Sequence, residues 1–89
     1  MPTIAVFYGM IIEMFWIDHP PPHFHVSYQR YRAVIAIETG DVLHGRLPSG
    51  ARRDVSAWTV RHRAELLANW DRARLKVPLW PVKGADEDE

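Results

Sequence analysis

Three consecutive prolines, Pro20 to Pro22, stand at the centre of the most constrained stretch of this chain, Asp18-His-Pro-Pro-Pro-His-Phe-His-Val-Ser-Tyr28. Each proline fixes φ and lacks a backbone N–H, so none can lie inside a helix or a central strand. The chain must therefore run extended into His23. From there Phe24, Val26 and Tyr28 alternate with His23, His25 and Ser27, the period of a half-buried strand. The pattern predicts that His23 and His25 share one sheet face, with His19 close by on a stiff loop. Three of the five histidines thus fall within seven positions, and they mark the candidate site.

The rest of the amino-terminal half also reads as strands. Thr3 to Tyr8 and Met10 to Ile17 are apolar, β-rich runs around Gly9, a residue that suits a turn. A further strand is expected over Arg32 to Glu38, a turn at Thr39-Gly40-Asp41, and a last strand over Val42 to Leu47. Connections this short impose antiparallel pairing, because parallel strands need long crossovers. After Pro48-Ser49-Gly50 the period changes. Ala51, Val55, Trp58, His62, Leu66 and Ala73 fall on one stripe of a helical wheel, with Ser49 placed to cap the start and Pro78 to stop the chain.

The expected fold is α+β: an antiparallel sheet of four or five strands with one long C-terminal helix, about 50 to 76, packed on one face. At 1.5 Å per residue such a helix would run ~40 Å, longer than the strands it covers, so a kink or break is also open to it. Phe24, Val26, Ile35, Ile37, Val55, Trp58 and Leu66 are the expected core, joined by Trp16. Residues 1–77 read as a single domain and 78–89 as an extension whose acidic end is solvated and disordered.

A second apolar row, Ala57, Val60, Ala64, Leu67 and Leu75, lies about 160° from the first on the same wheel. One sheet face can bury only one row. The second predicts a contact with another protein or a second copy, a homodimer or heteromer, centred on Val60, Ala64 and Leu67 with Trp70. The segment holding Leu79, Trp80 and Val82 is the alternative cover. Arg61 and Glu65 are spaced to pair at i,i+4. Arg52, Arg63 and Arg74 recur every eleven residues and should form a row along one helix edge.

Composition narrows the function classes. There is no cysteine, which removes disulfides and thiolate metal sites. With 47% hydrophobic and 25% charged residues the chain is ordinary for a globular domain. No apolar run reaches the ~18–20 residues of a membrane span and no basic leader precedes one, so a cytoplasmic protein without membrane contact is expected. The net charge is zero, but residues 48–76 hold seven Arg/Lys against three acids, and 77–89 hold one Lys against four acids.

The Met-Pro-Thr-Ile opening, Asp18-His-Pro-Pro-Pro-His-Phe-His25, Ile37-Glu-Thr-Gly-Asp-Val42 and His62-Arg-Ala-Glu-Leu-Leu-Ala-Asn-Trp70 together resemble a bacterial family, the domain of unknown function four-one-six-zero. The likeness runs from residue 1 to about 76. It implies a small protein encoded beside another short protein, in the manner of a toxin–antitoxin pair. It supplies no catalytic residues.

The residues themselves offer three chemistries. A ribonuclease without a metal needs a base, an acid and a cation, and histidine suits the first two roles with its ordinary pKa of ~6.5. His23 and His25, with His19 beside them, are candidates for that pair, Arg30 or Arg46 for the phosphate-facing cation, and Tyr28 or Tyr31 for stacking on a base. This is the leading expectation: the toxic or effector partner of a small gene pair, acting on RNA with no cofactor. The second is a non-enzymatic module that binds its neighbour-encoded partner through the helix and tryptophans. The third is a metal site at His19, His23 and His25, with Glu13 or Glu38 adding a carboxylate. His62 reads as a core-edge histidine, and His44 carries no signal of its own.

Overall fold

The computed structural model describes residues 2–88. Five strands, β1 (Thr3–Phe7), β2 (Met10–Glu13), β3 (His23–Tyr28), β4 (Tyr31–Ala36) and β5 (Val42–Gly45), precede two helices, α1 (Ser49–Arg61) and α2 (Arg63–Arg74). The strands form one sheet in the order β1-β2-β3-β4-β5, each antiparallel to its neighbour. This is the meander that the short connections require. Tyr8 and Gly9, at φ +50° and +76°, make the two-residue turn between β1 and β2, where left-handed backbone matches the strand twist.

Alternation along the strands builds the core. Phe7, Met10, Ile12, Phe24, Val26 and Ile35 are buried on one sheet face, and Val55, Trp58 and Leu66 close over them from the helices. Trp58 is the keystone of this packing. Its ring lies 4.8 Å from that of Phe7 and meets Phe24 edge to face at 5.7 Å. All seven residues expected in the core are no more than 1% exposed. Trp16, expected with them, is instead 40% exposed, because β2 ends at Glu13 and the chain leaves the sheet before Trp16.

The helical half departs from the expected single rod. The helix breaks at His62, which has φ −106° and ψ 21°, into pieces of 13 and 12 residues. A straight ~40 Å helix would overhang a molecule whose longest dimension is 33 Å. The His62 ring is also anchored at both nitrogens: Nδ1 lies 2.7 Å from Glu65 Oε1 and Nε2 2.8 Å from Asp88 Oδ2. Glu65 is therefore engaged by His62, and Arg61 reaches Asp88 at 3.7 Å, in place of the expected Arg61–Glu65 pair. Pro48, not Ser49, stands at the start of α1, with no side-chain cap. The break also interrupts the Arg52, Arg63 and Arg74 row.

The segment after α2 is strapped across the molecule. Asn69 Nδ2–H donates to the Trp80 carbonyl, and Trp80 N–H donates back to Asn69 Oδ1. Val82 N–H donates to the Ile4 carbonyl, and Trp58 Nε1–H to that of Lys83. Asp88, from the run read as solvated, packs against His62. Among the described residues no helix is long and apolar enough to cross a membrane.

Candidate functional site

The loop between β2 and β3 is held in place before it delivers its side chains. Ile17 N–H donates to the Ala73 carbonyl at the end of α2, which ties the loop to the helix. Ile17 also sits at φ +49°, a conformation that a β-branched residue rarely takes and that costs about 1–3 kcal/mol. Asp18 follows directly. The Pro20–Pro21 peptide is cis, and Pro22 leads into β3.

His23 and His25 do share a face, and both turn their Nε2 atoms toward one oxygen. Asp18 Oδ2 is 2.8 Å from His23 Nε2 and 3.4 Å from His25 Nε2. His23 Nδ1–H donates to the Pro21 carbonyl at 2.8 Å. The rings are packed from behind: Phe15 lies 4.0 Å from His25, and Trp70 of α2 lies 5.2 Å from His23. His23 is buried, whereas His25 keeps about a quarter of its side chain exposed. Burial alone would raise the Asp18 pKa. The His19 backbone N–H and the His23 and His25 rings overcome that and hold it below its ordinary 3.8.

Asp18, His23 and His25 thus bring three donor atoms within 4.8 Å of one another. His19 does not join them. Its side chain is 91% exposed, and its Nδ1 stands 3.3 Å from the other Asp18 oxygen. The carboxylate of the site is neither Glu13 nor Glu38. Glu13 lies opposite His25 in the ladder, and Glu38 is exposed beyond β4. Asp18 was legible only as a turn residue, although it is the one acid in the segment that separates β2 from β3.

The cluster opens into a cavity of about 290 Å³ that also reaches His19, Val34, Leu43 and His44. A second cavity of about 380 Å³ shares His25, Val34 and His44 with it and continues past Glu13 and Ser27 to Arg32. The ladder explains the continuity, since His25 pairs with Val34 and Val34 with His44 across three adjacent strands.

The arginines expected beside the histidines lie elsewhere. Arg30 is exposed in the turn that joins β3 to β4, at the opposite end of β3 from His23. Arg46 follows β5 and sits 5.9 Å from the Tyr31 ring. Tyr28 and Tyr31 stack on each other at 6.5 Å. Arg32 Nη1–H donates to the Gln29 and Tyr31 carbonyls at the same end of the sheet.

Of the expected contact row, Val60 is 50% exposed, Ala64 is exposed and Leu67 is half-buried against the core. Trp70 does not belong to that surface. It is buried behind His23, on the side of α2 that also buries Leu66, Asn69 and Ala73.

No curated protein and no solved structure matches the chain. A family model described as Domain of unknown function (DUF4160) matches residues 9–71, a span that takes in the whole histidine loop, strands β2 to β5 and most of both helices. The chain belongs to the DUF4160 family.

Proposed function

We propose that this protein is the effector member of a small two-gene pair and acts on RNA laid along the open face of its sheet. One observation carries the reading. The two cavities on that face share His25, Val34 and His44, so a single trough connects the Asp18–His23–His25 cluster with Arg32. Arg32 pairs with Ser27, four steps along β3 from His23, about 13 Å at ~3.3 Å per step. Arg32 lines the far end of the trough and Arg30 and Arg46 are exposed at the same end of the sheet, a positive charge that suits a nucleic-acid backbone, whereas Tyr28 and Tyr31 pack toward the core on the other face. The phosphates are positioned there, and the histidine cluster meets the backbone at the other end.

Growth of cells expressing the wild type or His25→Ala tests this reading. His25 is the suitable position because it faces the trough, whereas replacing buried His23 would damage the fold. Arrested growth with the wild type, relieved by His25→Ala at equal protein level, is expected. Equal growth would remove the effector role.

The exposed Val60, Leu75, Val77 and Trp80 favour a second reading, a module that binds the neighbour-encoded protein or a second copy of itself without chemistry. It uses the face of the molecule formed by the helices and the strap, so it is compatible with the first.

A further inference from the structure

The contacts of His23 call for either a second ring proton or a cation beside Nε2. Its Nδ1 faces a carbonyl, which only accepts, so the proton of a neutral ring is used there. Its Nε2 then presents a lone pair to Asp18 Oδ2 at 2.8 Å. Two acceptors at that distance repel unless a proton or a metal cation lies between them.

We propose that Asp18, His23 and His25 hold a divalent transition-metal ion in an open three-ligand centre. The proposal concerns the same site as the reading above and rests on that reading for the substrate alone. Two imidazole nitrogens and one carboxylate oxygen suit zinc or iron(II) better than calcium or magnesium, which prefer all-oxygen shells. Bonds of ~2.0–2.1 Å in a tetrahedral shell place donors about 3.3 Å apart. The 3.4 Å between His25 Nε2 and Asp18 Oδ2 already matches, the 2.8 Å of His23 needs to open by about 0.5 Å, and the two imidazole nitrogens, within 4.8 Å of each other, settle to the same spacing around the ion.

The surroundings fit as well. The His23 Nδ1–H bond to the Pro21 carbonyl is the outer contact that metal-bound histidines usually make, and it fixes Nε2 toward the ion. Phe15 and Trp70 hold the two rings, and the strained Ile17 backbone aims Asp18. The remaining coordination positions face the cavity that His19 and His44 border. An ion there would neutralise a phosphoryl oxygen and acidify a bound water. That is the charge-stabilising role for which Arg30 and Arg46 lie at the wrong end of the sheet.

The test is titration of chelator-stripped protein with zinc sulfate, read by calorimetry and by thermal unfolding. One zinc per chain and a raised unfolding temperature are expected. Asp18→Asn and His25→Ala should each weaken binding by about tenfold or more, while Glu38→Gln, at an exposed acid outside both cavities, leaves it unchanged. Circular dichroism of the unliganded variants checks that each has folded. Cobalt(II) in place of zinc should give visible absorption bands that His25→Ala alters. Absence of saturable binding, or equal affinity in the wild type and both ligand variants, would overturn the proposal and leave a plain Asp–His ion pair. Zinc bound as expected but without RNA cleavage would support the metal centre and remove RNA as its substrate.

Discussion

Asp18 and His23 meet at 2.8 Å across a loop of three prolines, so a carboxylate and an imidazole five residues apart are locked together before the strand begins. His25, two residues on, arrives at the same oxygen because strand alternation returns its side chain to the same face. The stiffness of the loop and the period of the strand together make the cluster.

The core predicts the first outcome. Trp58→Ala should cost about 3–5 kcal/mol, since Trp58 is 1% exposed and packs against Phe7, Phe24 and His62. Urea denaturation measures it, and a loss below about 1 kcal/mol would mean that the helices do not close on the sheet as described.

The break between the helices predicts a pH dependence. Burial alone would lower the His62 pKa, but hydrogen bonds to Glu65 and Asp88, and their charges, raise it above the ordinary 6.5. A folded pKa above the unfolded one gives stability that is fully present below about pH 6.5 and is lost as pH rises through the folded value. Denaturation in steps from about pH 6 to 9 should therefore show declining stability in the wild type. In Asp88→Asn the decline should be smaller. Parallel curves for the two proteins would place the titrating group elsewhere.

Much of the fold was legible. Pro20 to Pro22 and the alternation after them located β3 at His23–Tyr28 without error at either end, and short connections fixed the meander. Helix length left a break open, but its place was not legible, because both halves keep one apolar stripe in phase from Ala51 to Ala73. What divides them is a long-range partner, Asp88, 26 residues from His62. At the site, the two histidines could be read from period alone. Asp18 could not, since its direction depends on a left-handed Ile17 and on the hydrogen bond from the loop to Ala73. Trp70, read as an interface anchor, lies at the edge of that same stripe and is buried with it.

Gly45 predicts a third outcome. It has φ +74°, and a Cβ there would come within 2.1 Å of the Arg32 carbonyl oxygen, next to its ladder partner Ala33. Gly45→Ala should destabilise the protein by at least about 1–3 kcal/mol and should displace His44 from the trough. Thermal unfolding reads the first effect, and the His44 ring resonances by NMR read the second. An unchanged protein would mean that β5 does not bend at this point.

The exposed row on the helices predicts association. Sedimentation of the purified chain should show self-association that Val60→Asp weakens without unfolding the chain. A strict monomer would remove the second-copy form of the second reading and leave Val60, Leu75 and Trp80 without a self-association role.

The central claim is that the Asp18–His23–His25 end of the trough acts on RNA. Incubation of zinc-supplied protein with a fluorescently labelled single-stranded RNA, resolved by gel electrophoresis, tests it most directly. The account predicts cleavage by the wild type and loss of cleavage in His25→Ala. Arg32→Ala should still cleave, but with weaker RNA binding and a shallower dependence on salt. Intact RNA with the wild type, or equal cleavage by His25→Ala, would contradict the account.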